Sequence, residues 1–247
     1  MFKVIFMALI ILPHLLHASA DKIEVVTENY APFQWSENQK ITGPSTDVVK
    51  TLLQKIGNPY TISVYPWART YKIAQSRKNV LIYSISRTKE REKLFKWVGT
   101  IASHKVFFWK LKSKKNISIK SLTDAKNYVI AGVRKDAKTQ YLMANGFKKN
   151  KEIGIVHSTD IAIRLLYANR VDLIVENEDL IPQVEKLGYD SSMLEKVYYL
   201  KNFTNKLNIA FSLGTSNKLV QKYVDELTKL KQKGTFDKIL GKYKIHD

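Results

Sequence analysis

The first half of the chain alternates between short apolar runs that suit strands and longer segments with helical spacing. Ile23–Thr27 is a β-rich run, Tyr60–Tyr65 alternates polar and apolar positions, and Val80–Ile85 is mostly apolar. Between them, Thr46-Asp47 offers a helix N-cap followed by apolar residues three and four positions apart, and Ala68–Ser76 predicts a second helix. The order strand–helix–strand–helix–strand is typical of an α/β domain with a largely parallel sheet.

The same order returns in the second half of the chain. Strands are predicted over Tyr128–Gly132, Ile153–His157 and Val171–Val175, and helices over Ala137–Asn145 and Ile161–Asn169. Two units of the same order predict two α/β lobes. The apolar and aromatic segment Lys105–Leu111 lies between them and predicts a connecting strand.

The C-terminal part follows a different pattern. Leu207–Ser212 is predicted to be a strand that returns from the second lobe. Lys218–Lys231 is amphipathic, with its apolar residues on one helical face, and Thr235–Tyr243 predicts a final helix after Gly234.

Residues 1–20 are expected to be a secretory signal peptide rather than part of the fold. A single charge, Lys3, precedes an apolar run that ends at Ala18-Ser19-Ala20, a small-residue cleavage site. The mature chain would then begin at Asp21, and the protein would be exported, with a periplasmic location as the natural interpretation. The alternative is an uncleaved membrane anchor, which the short apolar run, interrupted by Pro13, disfavours.

Composition narrows the possible functions. The chain has 247 residues, of which 45% are hydrophobic, and it contains no cysteine, so disulfides, thiolate metal sites and a cysteine nucleophile are excluded. Its 41 Lys and Arg against 22 Asp and Glu give a net charge of +19. The excess positive charge is spread along the chain rather than gathered in a patch, which argues against nucleic-acid binding. It favours the steering of anionic ligands or attraction to an anionic surface.

Six short segments, read in order, resemble one protein family. They are Tyr30-Ala31-Pro32-Phe33, Gly43-Pro44-Ser45-Thr46-Asp47, Pro66-Trp67-Ala68-Arg69, the serine- and arginine-containing run 84–91, Asn169-Arg170-Val171-Asp172, and the C-terminal run 233–243. Each segment alone is a weak indication of a family, but together the six segments cover the mature chain. The sequence resembles the family 3 periplasmic solute-binding proteins, the type associated with polar amino acids.

This resemblance implies a two-lobe α/β clamp of the type II periplasmic binding fold. Lobe one would comprise residues 21–103 and 206–247, lobe two residues 112–205, and the hinge would lie around 104–111 and 203–211. A small polar solute would bind in the cleft and be enclosed as the lobes close. A membrane transporter or sensor would be the partner of a monomeric protein that needs neither cofactor nor metal.

In lobe one, the resemblance assigns Arg91 as the residue that binds a ligand carboxylate, because it matches the family's Ser-x-Ser-x-Thr-x-x-Arg pattern and a guanidinium can form two parallel hydrogen bonds. A solvated surface arginine is the alternative. Ser84 and Ser86 match cleft serines, or reflect polarity at a strand end. Tyr30 and Trp67 would contact the ligand, or serve packing. Arg69 is either a second anion contact or a solvated residue.

In lobe two, the turn before the predicted helix 137–145 offers Arg134 and Thr139 to the cleft, since free N–H groups at a helix N-terminus attract anions. Capping and solvated charge are the alternatives. The family's amino-acid binders usually place an acid about five residues after the aspartate of the lobe-two strand, to receive the ligand ammonium. Here Asn177 stands at that place, so either Glu176 takes the role or the ligand has no α-ammonium.

Signatures of catalysis are weak. The sequence has no G-x-S-x-G, P-loop or G-x-G-x-x-G motif, and its histidines lack metal-ligand spacing. The prediction is an exported binding protein, not an enzyme, that captures an amino acid or related carboxylate for uptake or sensing. The alternatives are an extracytoplasmic sensory protein, or a dehydratase-like enzyme on the same fold.

Overall fold

The computed structural model describes residues 22–204 and 206–243. The predicted signal peptide therefore lies outside the described residues. The strands are β1 Ile23–Thr27, β2 Trp35–Glu37, β3 Lys40–Thr42, β4 Tyr60–Val64, β5 Val80–Ser86, β6 Phe95–Ser103, β7 Val106–Leu111, β8 Ile130–Val133, β9 Ile153–Val156, β10 Leu173–Asn177, β11 Leu194–Tyr199 and β12 Lys206–Ser212. The α-helices are α1 Pro44–Ile56, α2 Trp67–Ser76, α3 Ala137–Ala144, α4 Thr159–Tyr167, α5 Ile181–Lys186, α6 Asn217–Gln232 and α7 Thr235–Gly241.

The strands form two separate five-stranded sheets. The first has the order β4-β1-β5-β12-β6, in which β1 is parallel to β4 and β5 while β12 is antiparallel to both of its neighbours. The second has the order β11-β7-β10-β8-β9, in which β8, β9 and β10 run parallel and β7 is antiparallel to β10 and β11. Each sheet is the centre of one lobe.

Helices cover both faces of each sheet. In the first lobe, α1, α6 and α7 pack on one face through Leu52, Tyr223 and Phe236, and α2 packs on the other face through Ala74. In the second lobe, α3 covers one face, while α4 and α5 cover the other. The apolar spacing of α1 and α6 is visible in the sequence, whereas α5 was not predicted.

The chain passes between the lobes twice. The first crossing joins β6 to β7 through residues 104 and 105, and the second lies between the end of β11 at Tyr199 and the start of β12 at Lys206. The segment expected as a connecting strand, Lys105–Leu111, is instead part of the second sheet from Val106 onwards, because β7 pairs with β10 on one side and β11 on the other. Its apolar side chains are buried in that sheet rather than spanning a gap.

Gly43 holds the start of α1 against the loop that follows β1. Its backbone has φ 109°, and a Cβ atom there would lie 2.6 Å from the carbonyl oxygen of Phe33 and 2.8 Å from Cα of Gln34. Only glycine adopts this backbone readily and leaves room for the loop. The loop carries Tyr30, so Gly43 helps to position a cleft residue.

Replacing Gly43 with alanine is expected to lower the free energy of unfolding by about 2–4 kcal/mol, because backbone strain and a clash with main-chain atoms add. The matched control is Gly57→Ala at the end of α1, where φ is 82° but no atom lies within 4 Å of the added Cβ. That change should cost only about 1 kcal/mol. Urea unfolding of both variants measures the difference, and equal losses would contradict the proposed close approach.

Candidate functional site

The two lobes face each other across a small cavity at the carboxyl ends of their parallel strands. Its volume, counted as the space open to the centre of a water molecule, is about 20 Å³. The first lobe contributes Glu28, Tyr30, Trp67, Ser84, Ser86 and Arg91, the second contributes Asp136, Ala137 and Lys138, and His104 and Leu207 also line the cavity. Ligands of open α/β sheets bind at this edge, so the cavity is the candidate binding site.

Arg91 is the largest fully buried side chain of the described residues, with 1% of its surface exposed. Its Nη2 donates to the carbonyl oxygen of Lys135 at 2.8 Å and to Oε1 of Gln140 at 3.0 Å, and its Nη1 donates to the carbonyl oxygen of Ser86 at 3.3 Å. Within the described part of the chain, its Nε–H is buried without a hydrogen-bond partner. Burial lowers the pKa of Arg91, against the attraction of Asp136. A buried guanidinium with a free donor is suited to an anionic ligand.

The carbonyl group of Lys135 is one of the points of contact between the lobes. It accepts from Arg91 and also from Nε1 of Trp67, at 2.8 Å in each case. Lys135 has φ 64°, in the left-handed region that non-glycine residues seldom adopt, and such strain is often found at functional sites. Two side chains of the first lobe therefore donate hydrogen bonds to one left-handed turn of the second lobe.

Trp67 and Tyr71 flank the Arg91 guanidinium. The Cζ atom of Arg91 lies 5.4 Å from the centre of the Trp67 ring and 5.0 Å from that of Tyr71. Both side chains are on α2 and are buried. The rings keep water from the cation and strengthen the hydrogen bonds that it makes.

On the opposite wall, the ammonium of Lys138 lies between two carboxylates. Nζ is 3.0 Å from Oδ2 of Asp136 and 3.0 Å from Oε2 of Glu176, and it lies 5.1 Å from the centre of the Tyr30 ring. The other oxygen of Glu176 accepts from Oγ1 of Thr159 at 2.8 Å. Lys138 is 5% exposed and Glu176 1% exposed, so the ion pair is buried.

The charged groups of Lys138, Asp136 and Glu176 are largely shielded from solvent and therefore interact strongly with one another. Burial alone would lower the pKa of Lys138. The attraction of Asp136 and Glu176 is stronger than this effect and holds the pKa well above its usual value. Burial raises the pKa of Glu176, despite the attraction of Lys138. Glu28 has some exposed surface but lies deep between the lobes, and burial together with the negative Asp136 raises its pKa well above the usual value. Two carboxylates therefore share one ammonium.

The two serines line the cavity in different ways. Ser84 has φ 56°, and its hydroxyl donates to Oε1 of Gln34 at 2.6 Å, so this side chain is engaged with the loop after β1. Gln34 in turn donates to Oγ1 of Thr27 at 3.1 Å. Ser86 lines the cavity directly and offers its carbonyl oxygen to Arg91.

Five of the residues predicted from the sequence do not line this cavity. One of them, Glu176, contacts the cavity-lining Lys138 through its ion pair. Arg69 is exposed and lies over the Tyr65 ring, at 4.1 Å, and Arg134 is exposed at the end of β8. Thr139 is buried beneath Gly132, where a Cβ would meet its hydroxyl oxygen at 2.8 Å. Asn177 is buried and accepts from the amide of Asp179 at 2.7 Å, which closes the turn after β10.

Sequence reasoning did not identify Glu28, His104, Asp136 and Lys138. Glu28 directly follows β1, so the rule that ligands bind beyond strand ends would have found it. His104 is 4% exposed, and among the described residues its Nδ1 has no hydrogen-bond partner. Burial lowers the pKa of His104 to about 3, so the ring is neutral at physiological pH.

Two larger spaces continue from the cavity along the cleft. The nearer has a volume of about 200 Å³ and shares Glu28 and Trp67 with it, adding Tyr65, Thr159 and Asp160. The outer groove, of about 690 Å³, lies between Trp35 on the first lobe and Pro182 on the second.

Neither a metal site nor a membrane span is found in the residues that the structure describes. No three histidine or acidic side chains are grouped so as to hold a metal ion. No helix in residues 22–204 or 206–243 has both the length and the apolar character needed to cross a bilayer.

A family model for the bacterial extracellular solute-binding proteins, family 3, matches residues 23–246. The chain belongs to this family. A curated relative of this solute-binding protein is the probable histidine-binding protein of Campylobacter jejuni, which is 20% identical over 224 residues, covering 88% of this chain and 82% of the relative. The family assignment confirms the resemblance seen in the sequence.

Solved structures confirm the predicted two-lobe fold of the type II periplasmic binding proteins. A histidine kinase sensor domain with similarity to periplasmic binding proteins aligns with a TM-score of 0.80 at 17% identity, covering 91% of this chain and 96% of that domain. An ancestral arginine-binding protein bound to arginine aligns with a TM-score of 0.78 at 23% identity, covering 91% of this chain and 99% of that protein.

Proposed function

We propose that this solute-binding protein captures a small polar solute bearing a carboxylate, an amino acid or a related acid, by closing its two lobes around it. The observation that carries this proposal is Arg91, a buried guanidinium at a point of contact between the lobes, whose Nε–H has no partner among the described residues. Tyr30, Trp67 and Ser86 complete the wall around the ligand. The protein binds its solute and releases it unchanged.

The protein is proposed to work outside the cytoplasm after cleavage of its signal peptide. Membership of an extracellular solute-binding family supports this location. The solute would be passed to a membrane transporter. A sensory role, in which the closed form is the signal, is the second candidate, and the similarity to a histidine kinase sensor domain favours it.

The test is a thermal-shift screen of the chain from Asp21 onwards against the twenty amino acids, their 2-oxo acids and simple dicarboxylates. A ligand present at 100 times its dissociation constant should stabilise the fold by about 2.7 kcal/mol, which raises the melting temperature measurably. The bound solute should be recovered unchanged after incubation. If no carboxylate raises the melting temperature, or if a product forms, the proposed function is wrong.

A further inference from the structure

The ammonium of Lys138 occupies the place in the cleft where acceptors from both lobes converge. A lysine ammonium has three N–H donors. Here the carboxylates of Asp136 and Glu176 each lie 3.0 Å from Nζ, and the face of the Tyr30 ring lies on a further side at 5.1 Å. These are the contacts that a bound primary ammonium would need, and Lys138 already takes them.

The position of Lys138 opposes two local preferences. It lies in the first turn of α3, two residues after the N-cap Asp136, where the helix dipole disfavours a cation. It is also buried, and burial of a charge is costly. Asp136 compensates in part, because Oδ1 accepts from the Lys138 amide at 2.7 Å while Oδ2 pairs with its ammonium. Departures from local preference of this kind are expected at functional sites.

The cavity has one open donor that suits an anion. Among the described residues, the Nε–H of Arg91 and Nδ1 of His104 are buried without hydrogen-bond partners, and so is Oε2 of Glu176, which faces the Lys138 ammonium at 3.0 Å. The remaining acid, Glu28, lies deep between the lobes, where burial and the neighbouring Asp136 raise its pKa well above the usual value. The cavity therefore has a free donor for a carboxylate and a cation site that is already filled.

We propose that Lys138 replaces the ligand ammonium, so that the cleft takes small carboxylates without an α-ammonium, such as 2-oxo acids. This inference rests on the proposed function and specifies its ligand class. An α-amino acid would have to displace the Lys138 ammonium from Asp136 and Glu176, or else leave its own ammonium unpaired in the closed cleft. If the ligand ammonium displaces that of Lys138, one ammonium only replaces another. If it does not, a buried charge lacks a partner. In both cases the amino group adds no affinity.

The experiment compares each α-amino acid with its 2-oxo acid by titration calorimetry. The four pairs are L-alanine and pyruvate, L-leucine and 4-methyl-2-oxopentanoate, L-phenylalanine and phenylpyruvate, and L-glutamate and 2-oxoglutarate. For the unmodified protein, the 2-oxo acid of any pair that binds is expected to have the same Kd as the amino acid or a lower one.

The Lys138→Met variant should reverse this preference. Removal of the ammonium leaves Asp136 and Glu176 open, and the ratio of the two Kd values should move by at least tenfold towards the amino acid. The matched control is Lys110→Met, which changes the buried lysine of β7 whose Nζ lies 3.3 Å from Glu195, away from the cleft. In that control the ratio should not change.

The possible results separate this inference from the proposed function. If the unmodified protein binds the amino acid of a pair at least tenfold more tightly than the 2-oxo acid, Lys138 does not replace the ligand ammonium, although the proposed function stands. The same conclusion follows if a folded Lys138→Met protein keeps the original ratio. If neither member of any of the four pairs binds, the inference about Lys138 is wrong. The proposed function is wrong as well only if the thermal-shift screen also finds no carboxylate that binds. Should Lys138→Met fail to fold, the ratio measured for the unmodified protein decides alone.

Discussion

Replacing Arg91 with alanine is expected to weaken carboxylate binding by roughly 30-fold to several-thousand-fold. This range corresponds to the 2–5 kcal/mol that is lost when one member of a buried, hydrogen-bonded charge pair is removed. Arg91 also joins the lobes through the Lys135 carbonyl and Gln140, so the variant should close less readily even before the ligand is considered. Titration calorimetry with a carboxylate identified in the thermal-shift screen measures the loss.

Two further variants make the Arg91 result specific. Arg91→Lys should recover only part of the affinity, because an ammonium cannot offer the planar pair of donors. Arg87→Ala is the matched control from the same loop, since Arg87 is exposed and pairs with Glu92 on the surface. The affinity of the Arg87→Ala variant for the same carboxylate should stay within threefold of that of the unmodified protein. If Arg91→Ala falls within the same threefold limit while folding normally, Arg91 is not the carboxylate ligand.

Glu176→Gln is expected to lower the free energy of unfolding by about 3 kcal/mol. This value is the lower end of the range for breaking a buried ion pair by removing one partner, because Lys138 keeps Asp136 as a counter-charge. Chemical denaturation near pH 7 measures the loss. The raised pKa of Lys138 leaves its ammonium charged, so its contribution to stability is fully present below its unfolded-state pKa and is lost only as the pH rises through the higher folded-state value.

The control for Glu176→Gln is the same substitution in the pair of Glu195 with Lys110. There the lysine is buried but the carboxylate is 46% exposed, so Glu195→Gln should cost less than about 1 kcal/mol. Equal losses for Glu176→Gln and Glu195→Gln would show that the cleft pair is not worth more than a surface pair.

The strands and helices with regular patterns could be predicted from the sequence, and those with irregular pairing could not. The parallel strands β1, β4 and β5 are short β-rich runs, and α6 has one clear apolar face. In contrast, β6 pairs with β12 through two register shifts, which interrupts the alternation of buried and exposed positions. β11 has a bulge between Lys196 and Tyr198 and several exposed side chains. The register of a strand is set by its pairing with distant parts of the chain. For this reason no local sequence pattern predicted β6 or β11.

The first-lobe side of the site was easier to predict than the second-lobe side. Ser86 ends β5, and Tyr30 and Arg91 follow strand ends by a few residues. All three match a family pattern, which predicted a shared site, and all three line the cavity. Lys138 had no such signal, because a lysine in the first turn of a helix normally indicates a solvated charge. Its partner Glu176 is distant in sequence, and only the parallel pairing of β8 with β10 brings the two together.

The placement of β12 has a consequence for the order in which the lobes can form. All five strands of the second sheet lie in one continuous stretch, from Val106 to Tyr199. The first sheet instead needs β12, which lies between β5 and β6 and brings residues 206–212 against residues 80–86. Contacts between such distant parts of the chain form slowly, because a long loop must first close. The second lobe can therefore fold as soon as its own residues are present, whereas the first lobe waits for the C-terminal strand.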